Sequence, residues 1–139
     1  MPQSIKCFTI AYIAHGVIML LHGILMRDRL DADTVQLLGE FGLPFVLAIR
    51  FGLIALLAWG VSIRANNFAK WAVVVFIAGM VFRIPQAWGG IAEGNVRAIV
   101  WAFGFLTGVS AVCFLFAPGA RYWFTGKGRS VKADAAVFD

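Results

Sequence analysis

The segment that decides the fold of this chain is VVFIAGMVFRIPQAWGG, from Val74 to Gly90. Most of it is apolar, as expected for a helix inside a lipid bilayer, yet Arg83 and Pro85 lie within the apolar run. A charged side chain inside a membrane is energetically costly, and it usually faces a partner or a cavity. The segment therefore predicts a membrane-spanning helix and makes Arg83 a candidate functional residue.

The composition of the whole chain supports the membrane assignment. Of its 139 residues, 61% are hydrophobic and 14% are charged, whereas an average soluble domain is about half apolar and about a quarter charged. The length allows a single membrane domain, residues 1–139, and no separate soluble catalytic domain. The net charge of +5 comes from basic residues at helix ends and in the C-terminal tail. They form no continuous stripe, so the lipid bilayer, and not nucleic acid, is the expected partner.

The number of membrane spans follows from the apolar segments, because a helix needs about 20 apolar residues to cross a bilayer. Four segments qualify, at about 6–26, 41–63, 70–91 and 96–117. The sequence therefore predicts an all-α protein, an integral membrane four-helix up-and-down bundle. Residues 118–139 are expected to form a cytoplasmic tail, which begins with an aromatic belt at the interface formed by Tyr122, Trp123 and Phe124.

The distribution of Lys and Arg predicts the orientation, because the more basic side of a membrane protein faces the cytoplasm. Seven basic residues lie on the side of the two termini: Lys6, Arg64, Lys70, Arg121, Lys127, Arg129 and Lys132. Three lie on the other side: Arg27, Arg29 and Arg97. We therefore expect both termini to be inside, in a multi-pass protein of the bacterial inner membrane.

Two arginines belong to neither side. Arg50 precedes Asn67 by 17 residues and Arg83 follows it by 16. At about 1.5 Å per residue, both are expected at nearly one height on antiparallel neighbours. One interpretation is that both side chains extend to the headgroups. The alternatives are a site for an anion, or ion pairs with Glu40 or Glu93.

The helical wheel of the third span favours a buried Arg83. One stripe contains this arginine together with small, aromatic and polar side chains, which are typical of contacts between membrane helices. Its members are Ala72, Phe76, Gly79, Arg83, Gln86 and Gly90.

The first span carries a second constellation. His15, Met19, His22 and Met26 share one face of the predicted helix. Imidazole and thioether are ligands of copper and of haem iron, so these four residues are the candidate metal ligands. Packing and hydrogen bonding are the simpler interpretation, and a quinone contact or proton transfer is a third. No cofactor is predicted, and haem or copper is kept as the alternative.

Combining these positions predicts one polar pocket that opens to the outside. Its expected lining is Tyr12, His15, His22, Arg50, Arg83 and Gln86, with Glu40 and Glu93 at the rim. The predicted function is a binding or transport module for an anionic small molecule, a lipid headgroup or a quinone-like ligand. The alternatives are an accessory subunit of a larger membrane complex, or a redox subunit that uses the two histidines. No enzyme motif is present.

Two short motifs lie in the fourth and first spans. Gly104 and Gly108 form a GxxxG pair in the fourth span, which predicts either a close helix contact within the bundle or a homodimer face. The segment LLHG at residues 20–23, together with the small size and the short inner loop, resembles small four-helix families of the DoxX type. That resemblance covers a handful of residues, and no function is carried over from it.

Overall fold

The computed structural model describes residues 1–26 and 41–126, and this part of the chain contains helices and no strand. We number the α-helices in chain order. They are α1 (Gln3–Leu25), α2 (Gly42–Ser62), α3 (Asn67–Gly79), α4 (Ile84–Ala92), α5 (Val96–Leu115) and α6 (Pro118–Thr125), with a 3₁₀ turn (Met80–Arg83) between α3 and α4.

Within residues 1–26 and 41–126, four helices are long and apolar enough to cross a membrane, so the predicted all-α fold with four spans is confirmed. They are α1, α2, α5 and the segment Asn67–Ala92, which we call the third span and which combines α3, the 3₁₀ turn and α4. Their lengths of 23, 21, 20 and 26 residues, respectively, exceed or match the roughly 20 residues that a bilayer requires. Their bounds differ from the predicted spans by no more than about three residues at either end.

Neighbouring helices are antiparallel. α1 packs most extensively against α5 and next against α2, and the third span packs against both α2 and α5. On α1, Gly16 faces Ile54 of α2, and Gly23 faces Leu47 nearer the start of α2. These contacts close the four spans into an up-and-down ring.

The outer surface of the ring is strongly apolar. Phe82 is 86% exposed and Phe68 is 80% exposed, and many other large apolar side chains also point away from the bundle. Soluble monomers rarely expose so much apolar surface to water, whereas contact with lipid tails leaves such a surface in an apolar environment. The interior is filled by α1 side chains such as Phe8 and Met19, packed against residues of the other spans.

Asparagine side chains begin two of the helices. Asn66 accepts a hydrogen bond from the backbone N–H of Phe68 at 2.8 Å, and Asn95 accepts one from Arg97 at 3.0 Å. An Asn at this position satisfies a backbone donor that the helix itself leaves unpaired. Both caps lie in the short polar connections, α2–α3 and α4–α5.

The segment after α5 differs from the predicted tail. α6 packs on the end of the bundle, and the indole Nε1 of Trp123 donates a hydrogen bond to the carbonyl of Val61 at 3.1 Å. Tyr122 is exposed, as an aromatic belt requires, but Trp123 and Phe124 are buried. The belt prediction was wrong for these two residues because helical geometry turns them toward the bundle. Residues 127–139 lie outside the described part.

The orientation remains a prediction, and cysteine labelling tests it. In a background without Cys7 and Cys113, single cysteines at Thr34, Asn67 and Ser130 are expected to react differently with an impermeant reagent added to intact cells. Position 34 should label from outside, whereas positions 67 and 130 should label only after lysis. External labelling at position 67 would contradict the orientation.

Candidate functional site

The third span changes its helical geometry just before Pro85. Residues Met80–Arg83 form a 3₁₀ turn, and Pro85 stands in the first turn of α4. Proline has no N–H to bond the carbonyl four residues earlier, and its ring would collide with that carbonyl in a continuous α-helix. The tighter turn accommodates both effects. It also fixes the direction in which Arg83 leaves the helix.

Arg83 and Arg50 line the same pocket. The pocket has a volume of about 340 Å³ and lies between α2, the third span and α5. Both arginines are eight or nine residues from the nearer end of their spans, at a depth of about 12–14 Å. Four further residues complete the lining, namely Phe76, Gly79, Met80 and Trp101. The pocket therefore combines two cations with a largely apolar wall.

The wall beside the two cations is partly rigid. Trp101 stacks on Phe105, with ring centroids 5.4 Å apart and an angle of 2° between the ring planes. Trp101 is only 6% exposed, which limits the movement of its indole. A ligand between the arginines would therefore meet a preformed aromatic surface on the α5 side.

The two arginines place two positive charges on one pocket. Arg50 is half-buried, whereas Arg83 is exposed, so the prediction of a buried Arg83 was wrong. Within residues 1–26 and 41–126 the one acidic side chain is Glu93, which is exposed and does not line the pocket. Glu40, the other predicted rim residue, lies outside the described residues. Two like charges in a weakly polar setting repel, so the pocket favours an anion.

His15 and Tyr12 do not line this pocket. Both are completely buried, with their rings stacked 5.8 Å apart. The Nδ1–H of His15 donates to the carbonyl of Gly104 at 2.7 Å, because a carbonyl can only accept. Among the described residues, His15 Nε2 and the Tyr12 hydroxyl have no hydrogen-bond partner. The predicted single pocket is therefore divided, with these two residues in the α1–α5 core.

His22 also bonds a backbone carbonyl of α5, near the first residue of that helix. Its Nδ1–H donates to the carbonyl of Arg97 at 3.1 Å, and the side chain is half-buried. Gln86 is exposed and is absent from the pocket lining. Both histidines therefore bond to the α5 backbone and lie outside the lining of the arginine pocket.

The described residues contain no cluster of side chains that would complete a metal site around the candidate ligands of α1. In the described residues no three His, Cys, Asp or Glu side chains come together. Met19 is buried and packs against Gly104, while Met26 ends α1 and is half-buried. Both histidines use Nδ1 for a carbonyl of α5, which leaves Nε2 as the nitrogen that could bind a metal. Haem or copper stays an untested alternative.

The glycine pair of α5 lies at a contact within the chain. A Cβ atom at Gly104 would overlap the methyl group of Met19. At Gly108, a Cβ would lie 2.7 Å from Ile77 Cδ1 and 2.9 Å from His15 Nδ1. The close approach of α1 to α5 therefore accounts for both glycines. A homodimer through this pair remains a prediction.

Four pocket residues were missed as candidates, although the sequence held a signal for two of them. Phe76 and Gly79 share the helical stripe of Arg83, so the wheel of the third span places them on its face. Met80 lies outside that stripe. Trp101 carried no such signal either, because it comes from a different helix and reaches the pocket through the packing of α5.

Comparison of the chain with known protein families, with characterised proteins and with solved structures gives no match. The LLHG resemblance therefore supports no family assignment, and function is inferred from the site alone.

Proposed function

We propose that this protein is a small membrane-embedded binding or transport module for an anionic, partly apolar small molecule. The supporting observation is that Arg50 and Arg83 line one pocket from which the single described carboxylate is absent. A carboxylate or phosphate bound between the guanidinium groups would remove their mutual repulsion. Arginine suits this role because its planar fork binds such groups through two parallel hydrogen bonds.

The apolar wall narrows the ligand class. Phe76, Met80 and Trp101 offer aromatic and thioether surface but no charge. A hydrophilic dianion would leave that surface unused, whereas an aromatic or isoprenoid acid or a quinone-like anion would bury its apolar part there. By the predicted orientation the pocket lies in the outer half of the bilayer and faces outward.

The first experiment compares lysine variants of the two arginines. Protein in nanodiscs of neutral lipid is titrated with a hydrophobic aromatic carboxylate and with its uncharged amide, and binding is followed by calorimetry. We expect the carboxylate alone to bind. Arg83→Lys and Arg50→Lys should each weaken binding by roughly tenfold or more, because lysine loses the fork. In the double variant, affinity should fall by less than the product of the two single-variant factors, because both arginines hold the same ligand.

The control is Arg121→Lys, which makes the same replacement on exposed α6 and should bind the carboxylate like the wild type. Melting of all variants in one lipid separates loss of binding from loss of fold. Wild-type affinity and stability in both Arg50→Lys and Arg83→Lys would show that the arginines extend to headgroups, and would remove the basis of the proposal.

An accessory role in a larger complex is the second candidate, and the exposure of Arg83 favours it. An acidic side chain of a neighbouring subunit would then occupy the place of the anion. Gentle extraction from native membranes distinguishes the two functions, since Arg83→Leu should release a co-purifying partner only in a complex. A visible absorption spectrum of the same preparation tests the redox alternative.

A further inference from the structure

A second pocket lies between α1 and α2. It has a volume of about 380 Å³ and shares no lining residue with the arginine pocket. On its α2 side, the small residues Ala55 and Ala58 lie between the large side chains of Phe51 and Trp59. Large side chains flanking small ones create a groove along the helix. From residue 51 to residue 63 it extends for about 18 Å.

The polar groups of this groove satisfy each other. The Thr9 hydroxyl donates to the carbonyl of Ile5 at 2.8 Å, which uses its only hydrogen. Ser62 must therefore donate the hydrogen bond of 2.6 Å between the two hydroxyl groups. The remaining lining is apolar. A ligand in the groove thus needs hydrocarbon and no hydrogen-bonding group.

A cation lies at the end of the groove that is nearest the α2–α3 turn. The guanidinium of Arg64 lies 4.6 Å above the ring of Trp59, whose indole is a wall of the groove. Arg64 also lines a polar pocket of about 560 Å³ with Asn66 and Asn67 at the α2–α3 turn. The apolar groove and the polar pocket therefore meet at the Trp59–Arg64 pair.

Lys70, the other basic residue near this turn, is engaged elsewhere. Its ammonium group lies 4.3 Å from the ring centre of Phe116 and 4.9 Å from that of Phe124. Lys70 is absent from the lining of the polar pocket, whereas Arg64 is part of it. Arg64 is therefore the cation that faces the polar pocket beside the groove.

We propose that the α1–α2 groove binds one acyl chain of an anionic phospholipid, with the lipid phosphate on Arg64. The groove supplies an apolar channel parallel to the lipid tails, and the polar pocket supplies a positive group at headgroup depth. Charge complementarity selects an anionic lipid over a zwitterionic one. The site is independent of the anion pocket of Arg50 and Arg83, so either proposal can fail alone.

Native mass spectrometry tests the lipid site. The protein is extracted from nanodiscs of phosphatidylcholine with phosphatidylglycerol in equal amounts, and retained lipid is counted by headgroup. We expect one phosphatidylglycerol per chain. Ala55→Phe fills the groove from the exposed side of α2 and should abolish retention, as should Ile13→Phe from α1. Arg64→Gln should lower the preference for phosphatidylglycerol by about fivefold.

Matched controls accompany each change. Ala48→Phe adds the same ring to an exposed position of α2 outside the groove, and Arg121→Gln removes a charge from exposed α6; both should retain the lipid. The proposal is overturned if the wild type retains no phosphatidylglycerol, if either groove-filling variant retains it, or if Arg64→Gln keeps the wild-type preference. Appearance of a dimer in place of a lipid adduct would also overturn it.

Discussion

Replacing Gly108 with alanine is expected to destabilise the bundle, by about 1–3 kcal/mol. The added methyl group would lie 2.7 Å from Ile77 Cδ1 and 2.9 Å from His15 Nδ1. The end of the isoleucine side chain can rotate away, but the imidazole is completely buried and is held by its hydrogen bond to Gly104. α1 and α5 must therefore separate, or that hydrogen bond must lengthen.

Gly52→Ala provides the matched control. Gly52 lies in the middle of α2, and a Cβ there would meet no atom within 4 Å. Alanine at this position should leave the melting temperature unchanged or raise it, because it restricts the unfolded chain more than glycine does. Melting in one lipid, with oligomer size measured alongside, checks both variants. A Gly108→Ala protein that melts like the wild type but forms a smaller oligomer would instead support the homodimer face.

Replacing Pro85 with alanine is expected to weaken anion binding roughly tenfold, as the lysine variants do, without lowering stability. Alanine restores an N–H that can bond the carbonyl of Val81, so Met80–Arg83 can become regular α-helix. A 3₁₀ turn rotates about 120° per residue and an α-helix about 100°, so the four residues would change the direction of Arg83 by roughly 80°. Arg83 would then leave the pocket that it shares with Arg50.

A distance measurement follows this change without any ligand. Four residues of 3₁₀ helix are about 2 Å longer than four of α-helix, so spin labels at the exposed positions Val75 and Trp88 should approach each other by about that amount. Pro44→Ala is the control, because proline is tolerated in the first turn of α2 and its removal should alter neither distance nor binding. An unchanged distance in Pro85→Ala would show that proline does not cause the 3₁₀ turn.

Much of the fold follows from local sequence. Each span is a run of about 20 apolar residues, and such a run in lipid must form a helix to satisfy its own backbone. The short connections predict antiparallel neighbours, and counting residues from Asn67 places Arg50 and Arg83 at one height. Because the two helices form a hairpin, equal height places both arginines beside each other, and they line one pocket.

Local sequence could not predict which neighbouring helix the histidine face of α1 contacts. Helical spacing predicts that Tyr12, His15 and His22 share a face, but not which neighbour that face meets. The choice depends on where α1 and α5 approach each other, and this contact joins residues far apart in the sequence. Glycines at 104 and 108 let the helices come close enough for His15 to reach the Gly104 carbonyl, so the histidine side chains turn to the α5 backbone. Trp101 enters the arginine pocket for the same reason: the position of α5 is fixed by packing against α1 and the third span, which no single helix encodes.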